Sequence, residues 1–182
     1  MKIKIAIQKN GRLTQPSLDI LSSLTGDTVE PILVRNSDIP VYVNAGIAEF
    51  GIVGENVLLE QGCQLPAIKK LGFGKCSLVI AAPEKVKDLS EERIATSYPN
   101  TLKKYLRKNN LNASIIKING SVEICPKLGL CDAICDITQS GKTLKENDLE
   151  IVEKIFESEA VLISSPCISK EKAMEFKKSL TI

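Results

Sequence analysis

The sequence predicts an α/β protein of two lobes, each built on a mainly parallel sheet. Three observations predict it. Short apolar strands alternate with amphipathic helical stretches along the chain. Capping and turn residues fall between them. Residues 83–92 are polar, charged and interrupted by proline, which reads as a crossover between lobes. At 182 residues, 43% hydrophobic and 25% charged, the chain has ordinary globular composition and enough length to bury a core. The expected division is 1–83 as lobe I, completed by 163–182, and 84–162 as lobe II.

In order, residues 2–8 alternate Ile3, Ile5 and Ile7 against polar positions, a strand that runs into Lys9, Asn10, Gly11 and Arg12. Thr14 and Pro16 open a helix with Leu18, Leu21 and Leu24 on one side, ending at Gly26. Residues 31–35 read as a strand. Asp38 and Pro40 start a helix expected to turn Val43 and Ile47 inward. Residues 50–53 form a buried strand between Gly51 and Gly54, 55–61 a helix, and 77–82 an apolar strand.

The second lobe starts with a strand at 94–96. The helix at 99–109 places Leu102, Tyr105 and Leu106 on one face and Lys103, Lys104, Arg107 and Lys108 on the other, a solvated side rather than a binding patch. A strand follows at 113–118, then a loop into a helix at 120–123. Residues 151–156 and 160–164 read as strands, and Ser169 caps a final helix.

The stretch 132–144 carries the most chemistry. An apolar run with Asp132 and Asp136 leads into Thr138, Gln139, Ser140, Gly141, Lys142 and Thr143 and then a helix start. Backbone N–H groups and hydroxyls in such a loop can face a phosphate, because the first helical N–H groups lack internal partners. The same residues also suit an ordinary αβ loop, since Ser-Gly turns are common. Gly141, Lys142 and Thr143 match the end of a Walker A motif, but its first glycine would fall at Asp136, so that motif is excluded. A carboxylate there suits sugar hydroxyls beside a phosphate.

Composition removes other classes. A net charge of +2, no Trp, three Tyr and four Phe argue against nucleic acid as partner. The sequence offers no long apolar span or signal peptide, so a membrane is not expected. Six cysteines without a C-x-x-C pair read as reduced thiols of a cytoplasmic protein. The absence of histidine excludes Ser-His and Cys-His nucleophilic chemistry. Catalysis would rest on carboxylates, cations, backbone amides and a metal brought by substrate.

Taken together, the blocks at 5–13, Arg35 with 38–40, 51–56, 95–99, 120–123 and above all 129–144 resemble the ATP phosphoribosyltransferase family, in the family's order and over nearly the whole chain. The resemblance implies a two-lobed fold like type II periplasmic binding proteins, with the active site in the interlobe cleft. It also implies transfer of the 5-phosphoribosyl group of phosphoribosyl pyrophosphate to N1 of ATP, the first step of histidine biosynthesis. On that expectation residues 138–143 cradle the 5-phosphate, and Asp136, with Asp132 second, holds ribose hydroxyls. Lys9, Arg12 and Arg35 face pyrophosphate or ATP phosphates, Glu123 contacts substrate, and Mg²⁺ arrives mainly on the substrate phosphates.

The chain is expected to form a homo-oligomer, a dimer or higher. Short family members work with a partner resembling histidyl-tRNA synthetase, and long ones carry a regulatory domain. The chain departs from the family in a short segment between Gly26 and Pro31, and in Gln139 and Ser140 where a small residue and Thr are usual. The alternative is a non-catalytic nucleotide or sugar-phosphate binding module of the same fold.

Overall fold

The computed structural model describes residues 2–24, 29–84, 86 and 88–180; the short segment after Gly26 lies largely outside them. The chain divides into two units, one of residues 1–75 with 158–182 and the other of 76–157.

The first unit is a five-stranded sheet in the order β2-β1-β3-β10-β4. It contains β1 (Ile3–Gln8), β2 (Val29–Val34), β3 (Phe50–Gly54), β4 (Ala67–Lys70) and β10 (Ala160–Ser164). β1 runs parallel to β2 and β3, whereas β10 is antiparallel to both of its neighbours. Because strand side chains alternate, Ile5, Ile7, Phe50, Ile52 and Leu162 face one layer with α1 (Thr14–Ser23) and α6 (Lys170–Ser179). Ala6, Val53, Val161 and Ile163 face the other, with α2 (Ile39–Asn44) and α3 (Glu55–Gln61).

The rings of Phe50 and Phe176 stack at 4.2 Å and seat α6 on β3, an arrangement worth about 1 kcal/mol beyond burial. Ser169 caps α6, its hydroxyl accepting from the Lys172 N–H at 3.2 Å. Gly51 lies where α2 meets the sheet: a β-carbon there would come within 2.7 Å of Ile39.

The second unit has the order β7-β6-β8-β5-β9, with β5 (Cys76–Ala82), β6 (Arg93–Thr96), β7 (Ser114–Lys117), β8 (Ala133–Thr138) and β9 (Glu150–Ser158). β6 is parallel to β7 and β8, and β5 is antiparallel to β8. One face packs on α4 (Pro99–Lys108) through Leu102 and Leu106. The other is covered by a 3-10 turn, Val122–Ile124, and by α5 (Lys142–Glu146), through Val122 and Leu144.

Five expectations change. Each sheet mixes parallel and antiparallel pairings instead of being mainly parallel. β5 belongs to the second sheet and all of β10 to the first, so the boundaries fall at 75/76 and 157/158 rather than 83/84 and 162/163. Residues 83–92 link β5 to β6 inside the second unit. Ile47 lies beyond the end of α2 and is 54% exposed, unlike the buried Val43. The segment at 120–123 makes only a 3-10 turn. No helix among the described residues is long and apolar enough to cross a membrane.

Candidate active site

β8 delivers Asp136 to the carboxyl end of the second sheet. On this strand Asp136 shares a face with Ile134, toward the layer formed by Val122 and Leu144, while Ala133 and Cys135 face α4. That placement half-buries the carboxylate and sets it in a concavity of about 330 Å³ with Glu123, Thr138, Gln139, Ser140, Gly141, Lys142 and Thr143. Burial pushes the Asp136 carboxyl up to about 6, and the negative charge of Glu123 adds to the rise. The Ile137 N–H, which donates to Asp136 Oδ1 at 2.8 Å, acts the other way.

The loop after β8 is held open by its own side chains. The Gly141 N–H donates to Thr138 Oγ1 at 3.0 Å, and the Lys142 N–H lies 3.4 Å from Ser140 Oγ. Gly141 caps α5 in the left-handed region, at φ 73°, a conformation natural to glycine. Thr143 and Lys142 are exposed on the first turn of α5. Hydroxyls and one cation therefore line the concavity beside a carboxylate, a set suited to a phosphate attached to a polyol.

Asp132 is not part of that set. It precedes β8, about 13 Å of strand away from Asp136, and forms a two-pronged ion pair with Arg93. Its Oδ2 accepts from Arg93 Nε and its Oδ1 from Nη2, both at 2.9 Å, and Oδ2 also accepts the Arg93 backbone N–H at 3.0 Å. These bonds hold its carboxyl far below the usual carboxylate range. The pair ties the start of β6 to the start of β8, and the structure does not bring Asp132 to the loop at 138–143 with Asp136.

Asp132→Asn is expected to leave ligand binding within about twofold of the parent. It should lower the melting temperature slightly at pH 5–8, with the difference fading as pH falls below the ordinary carboxylate range. The depressed native pKa makes this stability a property of the ionised group, lost on acidification. Parallel thermal melts and ribose 5-phosphate titrations check both parts.

In the first unit, Lys9, Arg12 and Arg35 follow the carboxyl ends of β1 and β2. The turn between β1 and α1 wraps the Gln8 side chain, whose Oε1 accepts from the Leu13 N–H at 3.1 Å. Gly11, at φ 137°, has no room for a β-carbon beside Gln8. This turn brings Arg12 to the end of β3, where its Nη2 lies 3.8 Å from the β-carbon position of Gly54. Lys9 and Arg35 are exposed and Arg12 is half-buried. Thr14 Oγ1 and Asn36 Oδ1, buried and without a partner among the described residues, flank these cations in sequence; buried polar atoms of this kind call for a ligand or water.

Sequence reasoning missed Arg93, since nothing local links it to a carboxylate 39 residues away. Cys131 and Cys135 are buried core thiols, and burial pushes the Cys131 thiol up to about 11.

The ATP phosphoribosyltransferase family model matches residues 35–181. The chain belongs to the ATP phosphoribosyltransferase family. It is 44% identical over 190 aligned residues to the ATP phosphoribosyltransferase of Cytophaga hutchinsonii, covering 93% of this chain and 66% of that one. Against the enzyme of Bacteroides thetaiotaomicron the figures are 41%, 93% and 67%. The chain thus spans about two thirds of the length of these curated relatives.

A solved ATP phosphoribosyl transferase chain from a HisG:HisZ complex of Thermotoga maritima superposes with a TM-score of 0.87 at 33% identity, over 98% of this chain and 96% of that one. A putative L-cystine ABC transporter chain from Listeria monocytogenes (15% identity, TM-score 0.66, 99% and 89% covered) shares the fold alone. The fold is thus the one expected, that of type II periplasmic binding proteins.

Proposed function

We propose that this member of the ATP phosphoribosyltransferase family transfers the 5-phosphoribosyl group of phosphoribosyl pyrophosphate to N1 of the adenine of ATP, giving phosphoribosyl-ATP and pyrophosphate and opening histidine biosynthesis. The observation that carries the reading is a half-buried Asp136 in one concavity with the Thr138 to Thr143 loop. The adenine N1 lone pair forms the new bond to the anomeric carbon. The bond to pyrophosphate breaks with its electron pair, and the sugar carbon inverts.

Because N1 already carries its lone pair at neutral pH, no strong base is needed. The protein orients the reactants and stabilises charge. Residues 138–143 hold the 5-phosphate, and ionised Asp136 holds ribose hydroxyls and favours an oxocarbenium-like sugar. Glu123 stands next to Asp136 as a second acceptor, and Lys9, Arg12 and Arg35 take up polyphosphate charge. Magnesium enters on the polyphosphates as part of the substrate.

The chain acts as a homo-oligomer with a regulatory subunit resembling histidyl-tRNA synthetase, a reading supported by the Thermotoga maritima relative, which comes from a HisG:HisZ complex. Six free cysteines accord with the reducing cytoplasm.

The test is a turnover assay of the purified chain with ATP, Mg²⁺ and phosphoribosyl pyrophosphate, with pyrophosphatase added and phosphoribosyl-ATP detected directly. Product from the chain alone is the expected result. Ligand binding without product, both alone and with a regulatory subunit, would favour the non-catalytic module.

A further inference from the structure

The 95–99 block, Ala-Thr-Ser-Tyr-Pro, resembles the family yet has no part in the site described so far. The hydroxyls of Thr96 and Ser97 are each used twice. Thr96, fully buried, donates from Oγ1 to the Cys135 carbonyl at 2.6 Å and accepts the Tyr98 N–H at 2.8 Å. Ser97 Oγ donates to the Ile118 carbonyl at 2.9 Å and faces the Gly120 N–H at 3.4 Å. The first hydroxyl grips β8 at the residue before Asp136. The second grips the turn that leads to Glu123.

That turn is conformationally demanding. Gly120 and Ser121 both have positive φ, at 90° and 46°, and a serine in the left-handed region persists only where its surroundings hold it. Val122, fully buried, and Glu123 follow directly. The register of β6 on β8 pairs Ala95 with Ile134 and Thr96 with Cys135, so Ser97 and Asp136 each follow directly on the last pair.

We infer that Thr96 and Ser97 are positioning residues that fix the Glu123 carboxylate beside Asp136 by clamping their two backbone segments to the end of one strand. The purpose is electrostatic. A second carboxylate held beside a half-buried one delays its ionisation and reserves the pair for a ligand rich in hydroxyls or positive character. The charged side chains lining this concavity are Glu123 from the 3-10 turn and Lys142 from α5. From β5 the register brings only Val79 opposite Asp136.

The inference rests on the proposed sugar-phosphate site for its purpose but is tested without turnover. Ligand-free protein labelled with ¹³C at the aspartate carboxyls is titrated by NMR, with the Asp136 signal assigned by its absence in Asp136→Asn. Releasing the turn in Ser97→Ala is expected to lower the Asp136 midpoint by about half a pH unit. Ser97→Thr, which keeps the hydroxyl, restores the parent value, and in a Glu123→Gln background Ser97→Ala has no further effect.

An unchanged midpoint in folded Ser97→Ala overturns the inference, as does an equal shift with and without Glu123. Should Ser97→Ala fail to fold, Ser97→Cys, with its weaker hydrogen bonds, is read by the same criteria. A chain that makes no phosphoribosyl-ATP would overturn the proposed reaction and leave this titration unaffected.

Discussion

Asp136→Asn lowers turnover by about 10²-fold or more and at the same time raises the melting temperature at pH 8. Both effects have one cause. The native carboxyl is held at about 6, above its ordinary 3.8, so folding favours the protonated form. Its contribution to stability is complete below pH 3.8 and is lost as pH rises through about 6. Above that, an ionised, half-buried carboxylate strains the site.

A shift of this size corresponds to about 1–3 kcal/mol. Asparagine keeps an oxygen for the Ile137 N–H and removes the charge. The melting temperature is expected to rise by about 2–10 °C at pH 8 and hardly at a pH below 3.8, where the carboxyl is neutral in the folded and the unfolded chain alike. Activity of the parent should fall below about pH 6 as Asp136 protonates. Melts at the two pH values together with the pH profile of kcat/KM decide the matter, and native activity in the variant would refute the assignment.

Strands with clear alternation, such as β1, were legible in the sequence, and so was the loop at 138–143, because turn residues beside an apolar run announce a strand end. β4 was not: four residues, two of them lysine, give no period to read. Which sheet an apolar strand joins is likewise silent. Residues 76–82 look the same whether they complete the first sheet or the second, and only their antiparallel pairing with β8 settles it. The separation of Asp132 from Asp136 was hidden for a related reason. Two aspartates four apart look equivalent in sequence, yet one meets Arg93 where β6 begins and the other meets the loop at 138–143 where β8 ends.

The second large effect is expected from Thr143→Asp. Thr143 is exposed on the first turn of α5, where a carboxylate is compatible with the helix end, so the fold should tolerate it. A phosphate in the concavity would then meet a like charge at short range. At an effective dielectric near 20 a pair of unit charges 4 Å apart costs about 4 kcal/mol, and screening at this exposed position leaves about 3. The KM for phosphoribosyl pyrophosphate should rise by about 10²-fold or more, with the melting temperature within about 1 °C of the parent and Thr143→Ser near normal. Calorimetric titration with ribose 5-phosphate measures the loss directly; retained affinity would move the phosphate out of this loop.

The chain leaves its first unit once and returns once, so residues 76–157 form an uninterrupted block while the first sheet is assembled from both ends of the chain. In terms of inheritance the two halves are unequal. A single exchange of contiguous coding sequence replaces the whole of the proposed sugar-phosphate binder, loop, acidic pair and hydroxyl clamp together, and leaves every strand of the other sheet in place. Changing the first unit as completely requires two coordinated exchanges, one on either side of that block.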